Sequence, residues 1–197
     1  YTDEERAKID AAFPFNVTWT PVSELMQDVE DHRSDQREPL NRFWLAYWLL
    51  AQRLLRSGKY KAVCVIQADS FVFVNLDVYF KAAEAGILAC SEYSFSGLNA
   101  EKLPFGDDRA IWDRGQCGIF DAVNFIGAQY VDMVRDIIRF QAEDPFKGEA
   151  SHSVIALNRA VCKHGSKEKM LRLDRHTWVC ESLWGEVKFN VSGDGEK

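Results

Sequence analysis

The sequence predicts an α/β domain in which a mostly parallel mixed sheet is flanked by helices. Three observations carry that expectation. Short β-branched, apolar runs (63–66, 87–90 and 120–127) alternate with stretches of helical periodicity. A length of 197 residues fits one domain with a continuous core. A hydrophobic fraction of 47%, with 13% aromatics, excludes a disordered chain.

Each element has its own signal. Thr2-Asp-Glu-Glu5 has the spacing of a capping box and opens a short helix over 6–13, which Pro14 ends. Asn16-Val-Thr-Trp-Thr20 is β-branched and aromatic, so a strand is expected there, closed by Pro21. Residues 28–38 are charged and read as a surface segment. Pro39 opens a long helix whose Leu40, Phe43, Trp44, Tyr47, Leu50, Ala51 and Leu54 recur at spacings of three and four. Arg53, Arg56 and Lys59 gather at its carboxyl end, where cations suit the dipole, and Gly58 marks the stop.

The run Val63-Cys-Val-Ile66 has the composition of a fully buried strand. It halts at Gln67-Ala-Asp69-Ser70, and a second apolar run, Phe71-Val-Phe-Val74, follows at once. Asn75-Leu-Asp77 starts a helix over 78–85 with Gly86 as its stop, and 87–90 reads as another buried strand. Residues 91–118 are irregular and punctuated by Gly97, Pro104, Gly106, Gly115 and Gly118, the mark of a functional or mobile loop. A strand over 120–127, helices over 129–141 and about 150–163, and extended pieces at 170–174, 177–180 and 187–191 complete the chain. There is no internal repeat.

Composition narrows the function. A net charge of −6 and a pI near 5.3 give no support to a nucleic-acid surface. No apolar run reaches the roughly 20 residues of a membrane span. No signal-peptide pattern stands at the start, though a chain beginning at Tyr1 carries no information on what precedes it. Five widely spaced cysteines, an odd number without a Cys-x-x-Cys pair, point to reduced thiols and a cytoplasmic setting. Two Asn-x-Ser/Thr triplets, at Asn16 and Asn190, point the other way.

Asp69 is the most informative residue. A carboxylate just past a buried strand sits where α/β sheets hold ligands. Its burial is costly unless it is paired, hydrogen-bonded or bound to a metal. From the residues alone two roles stay open, a ligand to a divalent cation and a cap on nearby backbone amides.

The wider pattern resembles the GT-A glycosyltransferases, in particular the glycogenin and lipopolysaccharide-galactosyltransferase type. An apolar strand, x-x-Asp69, a second apolar run and Asn75-Leu-Asp77 correspond to the stretch that ends in the family's metal-holding Asp-x-Asp. Phe120-Asp-Ala-Val-Asn-Phe-Ile-Gly127 is similar to the Phe-Asn-Ala-Gly-Val-x-x-Gly strand beside the donor sugar. Leu157-Asn158 matches the end of Asp-Gln-x-x-Leu-Asn, and Asn190-x-x-Gly193-x-x-x-Lys197 echoes a closing His-x-x-Gly-x-x-Lys. Gln67 replaces the first Asp, Ser153 and Val154 stand at Asp-Gln, and Asn190 stands at the His.

The resemblance implies a single GT-A-like, Rossmann-like domain over 1–197. The strand that holds the nucleotide base in the family has no counterpart after Tyr1, so the chain is a fragment or builds that site differently. It implies a transferase moving a sugar, with retention, from a nucleotide-sugar donor to a carbohydrate, lipid or protein acceptor. Mn²⁺ or Mg²⁺ would be held by Asp69, Gln67 and Asn190. Gln67, Asp69, Ser70, Asp121 and Asn124 would bind the donor, and His152 is the candidate catalytic side chain. Two other readings stay open. One is a non-catalytic GT-A-like binding or scaffold domain; the other is a nucleotidyltransferase, which would want a glycine-rich basic loop near its start.

Overall fold

The computed structural model describes residues 2–12, 16–28, 39–67, 70–72, 75–92, 119–143, 152–173 and 178–180. Helices α1 (Asp3–Ala12), α2 (Val22–Leu25) and α3 (Pro39–Arg56) lead into strand β1 (Ala62–Ile66). Strand β2 (Ser70–Val72), helix α4 (Asp77–Glu84), and strands β3 (Leu88–Glu92) and β4 (Ile119–Gly127) come next. Helices α5 (Val131–Glu143) and α6 (His152–His164) are followed by strands β5 (Met170–Leu173) and β6 (Trp178–Cys180). The expected piece at 187–191 lies outside the described residues.

The local signals act as their chemistry requires. Thr2 N donates to Glu5 Oε2 at 2.7 Å while Glu5 N donates to Thr2 Oγ1 at 3.2 Å, closing the capping box. The Glu5 carboxyl is held below its ordinary value by the bonds it accepts from Thr2 N and, at 3.2 Å, from Thr2 Oγ1. Gly58 and Gly86 stop α3 and α4 at φ of +70° and +89°, a region that side chains rarely adopt.

Four strands form an open mixed sheet in the order β1-β4-β3-β5. β4 runs antiparallel to β1 and to β3, whereas β5 runs parallel to β3. β1, β3 and β5 therefore point one way and β4 alone opposes them. The expected mostly parallel sheet is corrected at the level of pairing. The one reversed strand sits in the middle, so β3–β5 is the one parallel pair among the described strands of this sheet. A pattern of alternating strands and helices states direction poorly when a later strand inserts between two earlier ones. β2 and β6 make a separate antiparallel pair.

Helices cover both faces. On one, Val63, Val65, Leu88, Cys90 and Ile126 pack with Trp48 and Leu55 of α3, Met133 and Ile137 of α5, and Leu157 and Val161 of α6. On the other, Ala89 and Phe125 lie under α4, whose Tyr79 and Phe80 meet the Phe125 ring at centroid distances of 5.3 and 5.1 Å.

Four expectations are corrected. Residues 16–20 form no strand; β propensity needs a partner, and Trp19 folds back on α1 instead, its Nε1 donating to Asp10 Oδ1 at 2.9 Å. β1 is not buried throughout, since Ile66 at its end is 48% exposed. The buried seam of α3 runs through Leu45, Trp48, Leu49, Gln52 and Leu55; of the expected face Ala51 is buried, Tyr47, Leu50 and Leu54 are only partly covered, and the side chains of Leu40, Phe43 and Trp44 lie outside the described residues. That helix is apolar around most of its circumference, and it packs on two sides, with Leu45 and Leu49 against Leu25 of α2. Finally, Cys162 is disulfide-bonded, against the expectation of reduced thiols, while Cys64 and Cys90 are free. No described helix is long and apolar enough to cross a membrane.

Candidate functional site

Three co-directional strands deliver their carboxyl ends to one edge of the sheet, and β4 starts there because it runs the other way. Gln67 lies one residue beyond β1. Its N–H donates to Ala122 O at 2.8 Å, which carries the β1–β4 ladder one step past the Ile66–Val123 pair. Its carbonyl accepts from Ser70 N at 3.0 Å. Ala68 and Asp69, between these two anchors, lie outside the described residues.

Ser70 opens β2, opposite Cys180. Its Oγ is buried and has no hydrogen-bond partner among the described residues. Asp121 precedes Ala122 in β4, so its backbone stands beside Gln67; its side chain is outside the description. Asn124 lies further in, 0% exposed and opposite Val65 and Cys90. The structure thus brings Gln67 and the start of β4 together, and sets Asn124 two residues deeper in the sheet.

α6 runs from this edge to the opposite one. Asn158 Nδ2 donates to Ile119 O at 2.8 Å, at the start of β4. At the other end a Cβ on Gly165 would come within 3.1 Å of Leu88 Cδ1, at the start of β3. His152, the first residue of α6, therefore belongs by its backbone to the strand-carboxyl edge, and its side chain is not described.

Ser153 follows it and is 0% exposed. Its Oγ shares a 2.5 Å hydrogen bond with Tyr47 Oη and accepts from Trp48 Nε1 at 3.5 Å. Val154 is partly buried against the α4 side of the core. Ser153 and Val154 thus both pack toward the interior. Asn190 and residues 93–118 lie outside the described residues.

β3 is irregular at the same edge. Its register with β4 shifts between Cys90 and Glu92, and Ser91 Oγ accepts from Val123 N at 3.2 Å inside the break. Burial pushes the Cys64 and Cys90 thiols up to about 12, away from the thiolate form. For Cys90 the nearby Arg172 charge opposes that rise only in part. Among the described residues no three His, Cys, Asp or Glu side chains converge as a metal-binding group.

One polar cluster escaped the sequence reading. Asp136 of α5 is 3% exposed, and its Oδ2 receives Lys163 Nζ at 2.5 Å and faces His164 Nε2 at 2.6 Å. Arg139 stands 3.3 Å from Oδ1. Burial raises the Asp136 pKa, but the His164 and Lys163 hydrogen bonds and the Arg139 charge outweigh it and hold the carboxyl below its ordinary value. The signal was present in the spacing: Met133, Asp136, Ile137, Phe140 and Gln141 share one helical stripe, so the stripe carries a buried acid. This cluster joins α5 to the end of α6, away from the strand-carboxyl edge.

No family model, no curated protein and no solved structure matches this chain.

Proposed function

We propose that the chain is a GT-A-like glycosyltransferase that moves a sugar from a nucleotide-sugar donor to a carbohydrate, lipid or protein acceptor. The observation that carries this reading is the 2.8 Å hydrogen bond from Gln67 N to Ala122 O. Two stretches distant in sequence, one similar to the family's metal motif and the other to its donor-sugar strand, are neighbours at one sheet edge. Ligands of open α/β sheets bind at such an edge, outside the carboxyl ends of the strands. The buried Ser70 Oγ beside it has hydrogen-bonding capacity that no described residue uses.

Asp69, Gln67 and Asn190 would hold the cation, and Asp121 would face the donor. That donor set is all oxygen with a single carboxylate, which fits Mn²⁺ or Mg²⁺ shared with phosphate oxygens. A cation held there would supply positive charge to offset the negative charge on a departing diphosphate. Gln67 serves this role from a fixed point, since its N–H and its carbonyl are both hydrogen-bonded to the backbone of neighbouring residues. The disulfide at Cys162 supports an oxidising compartment in preference to the cytoplasm.

A second reading, a non-catalytic binding domain of the same shape, is favoured by Ser153. A buried hydroxyl held by Tyr47 and Trp48 has taken the position of a polar pair that faces the sugar in the family. Calorimetry separates the two. Mn²⁺ titrated with uridine or guanosine diphosphate present should bind more tightly than Mn²⁺ alone. Equal affinities would remove the shared site, and with it the transferase reading.

A further inference from the structure

The segment between α1 and α2 carries a feature that neither the fold nor the proposed activity uses. We propose that Asn16 is an N-glycosylation acceptor, modified by an oligosaccharide from a lipid-linked sugar diphosphate in an oxidising secretory compartment. Asn16-Val17-Thr18 has the acceptor spacing, with no proline in the middle.

The structure presents this triplet as a transferase needs it. Residues 16–20 are neither helix nor strand, so the backbone is not committed to a ladder that modification would break. Exposure alternates: Asn16 and Thr18 are exposed, whereas Val17 and Trp19 are partly covered. The inner side is pinned, with Trp19 Nε1 on Asp10 Oδ1 at 2.9 Å and the Arg6 guanidinium 5.7 Å over the indole ring. The acceptor amide and the hydroxyl two residues on therefore project outward together from a tethered segment. Helix α1, on which Trp19 rests, buries none of its residues.

A second, independent observation fits a compartment where this chemistry occurs. Cys162 is disulfide-bonded, and disulfides persist in oxidising compartments such as the endoplasmic reticulum lumen. The transfer is redox-neutral. A bond forms between Asn16 Nδ2 and the anomeric carbon of the first sugar, and the bond from that carbon to the diphosphate oxygen breaks. The electron pair leaves on the lipid diphosphate, and the amide proton passes to a base of the transferase.

The test is to route the full chain through the secretory pathway of a eukaryotic cell. Its mass is then read before and after treatment with a peptide N-glycosidase. The expected result is a mass increment that the enzyme removes, leaving aspartate where Asn16 stood in the peptide map. Asn16→Gln and Thr18→Ala should both lose that increment and Thr18→Ser should keep it, with unchanged melting temperatures because both side chains are exposed. An unmodified Asn16 in the secreted protein would overturn the proposal, as would an increment that survives Asn16→Gln unchanged. Thiol labelling on the same preparation checks the compartment. Cys162 should resist alkylation until reduced, and its labelling without reductant would remove the second support and overturn the proposal.

Discussion

The side chain of Asn158 and the backbone of Ile119 exchange two hydrogen bonds across 39 residues of sequence. Ile119 N donates to Asn158 Oδ1 at 3.1 Å, and Asn158 Nδ2 donates to Ile119 O at 2.8 Å. The same Nδ2 reaches Val154 O, one turn back along α6, at 2.7 Å. The carboxamide thus acts as a short substitute for a neighbouring strand and fixes where β4 begins. Asn158→Ala leaves a buried N–H and a buried C=O without these partners, so it should cost about 2–3 kcal/mol in urea unfolding. Asn158→Asp, which turns a donor into an acceptor facing two carbonyls, should cost at least as much. A loss under about 0.5 kcal/mol for either would show that the start of β4 is held by something else.

Gly127 ends β4 where α4 comes closest. A Cβ there would lie 2.1 Å from Ala83 O and within 2.6 Å of the Gln129 carboxamide, which itself donates to Ala83 O at 2.8 Å. The nearest obstacle is backbone and cannot rotate away. Gly127→Ala should therefore destabilise by on the order of 3 kcal/mol, read as a lower urea midpoint. Gly58→Ala meets no such wall, since nothing lies within 4 Å of its added methyl, and pays only the strain of a positive φ. The two variants should differ clearly, and equal losses would contradict the close approach of α4 to β4.

Asp136 gives the protein an acid limit. Its folded carboxyl is held below the ordinary value by His164, Lys163 and Arg139 in spite of burial. The stability it contributes is present above the unfolded carboxylate pKa of about 4 and is lost as pH falls below that toward the lowered folded value. Asp136→Asn removes the charge that Lys163 and Arg139, both half exposed, and the His164 ring face. A loss of about 1–3 kcal/mol at pH 7 is expected. The difference between the two proteins should shrink as pH falls below about 4. A constant difference down to pH 2 would refute the linkage.

At the proposed metal site, Asp69→Asn keeps the shape of the side chain and removes its charge. Stability should change by no more than about 1 kcal/mol in either direction. Binding of a nucleoside diphosphate that depends on Mn²⁺ should disappear. The opposite pattern, a lower melting temperature with binding intact, would identify Asp69 as a backbone cap.

Much of the fold is local chemistry, and the sequence determined that part by itself. The Thr2–Glu5 capping box, the proline that opens α3, and the glycines that stop α3 and α4 all act within a few residues of where they stand. β1, β3, β4 and β5 fall where β-branched and apolar residues cluster, because burial between helix layers rewards those residues wherever the sheet forms. The runs 63–66 and 120–127 were legible as strands for the same reason. What only the tertiary structure decided is pairing. That β4 inserts reversed between β1 and β3 depends on contacts between residues far apart in the chain, and so does the meeting of Gln67 with Ala122. Trp19 shows the same dependence from the other side: its segment has the composition of a strand, yet the indole found Asp10 and Arg6, and no ladder formed. Asp136 and Ser153 complete the pattern, since a polar residue is read as solvated until the element packed against it supplies His164 and Lys163, or Tyr47 and Trp48. Propensity and periodicity act over a few residues, whereas hydrogen-bond satisfaction in a buried sheet is settled between distant ones.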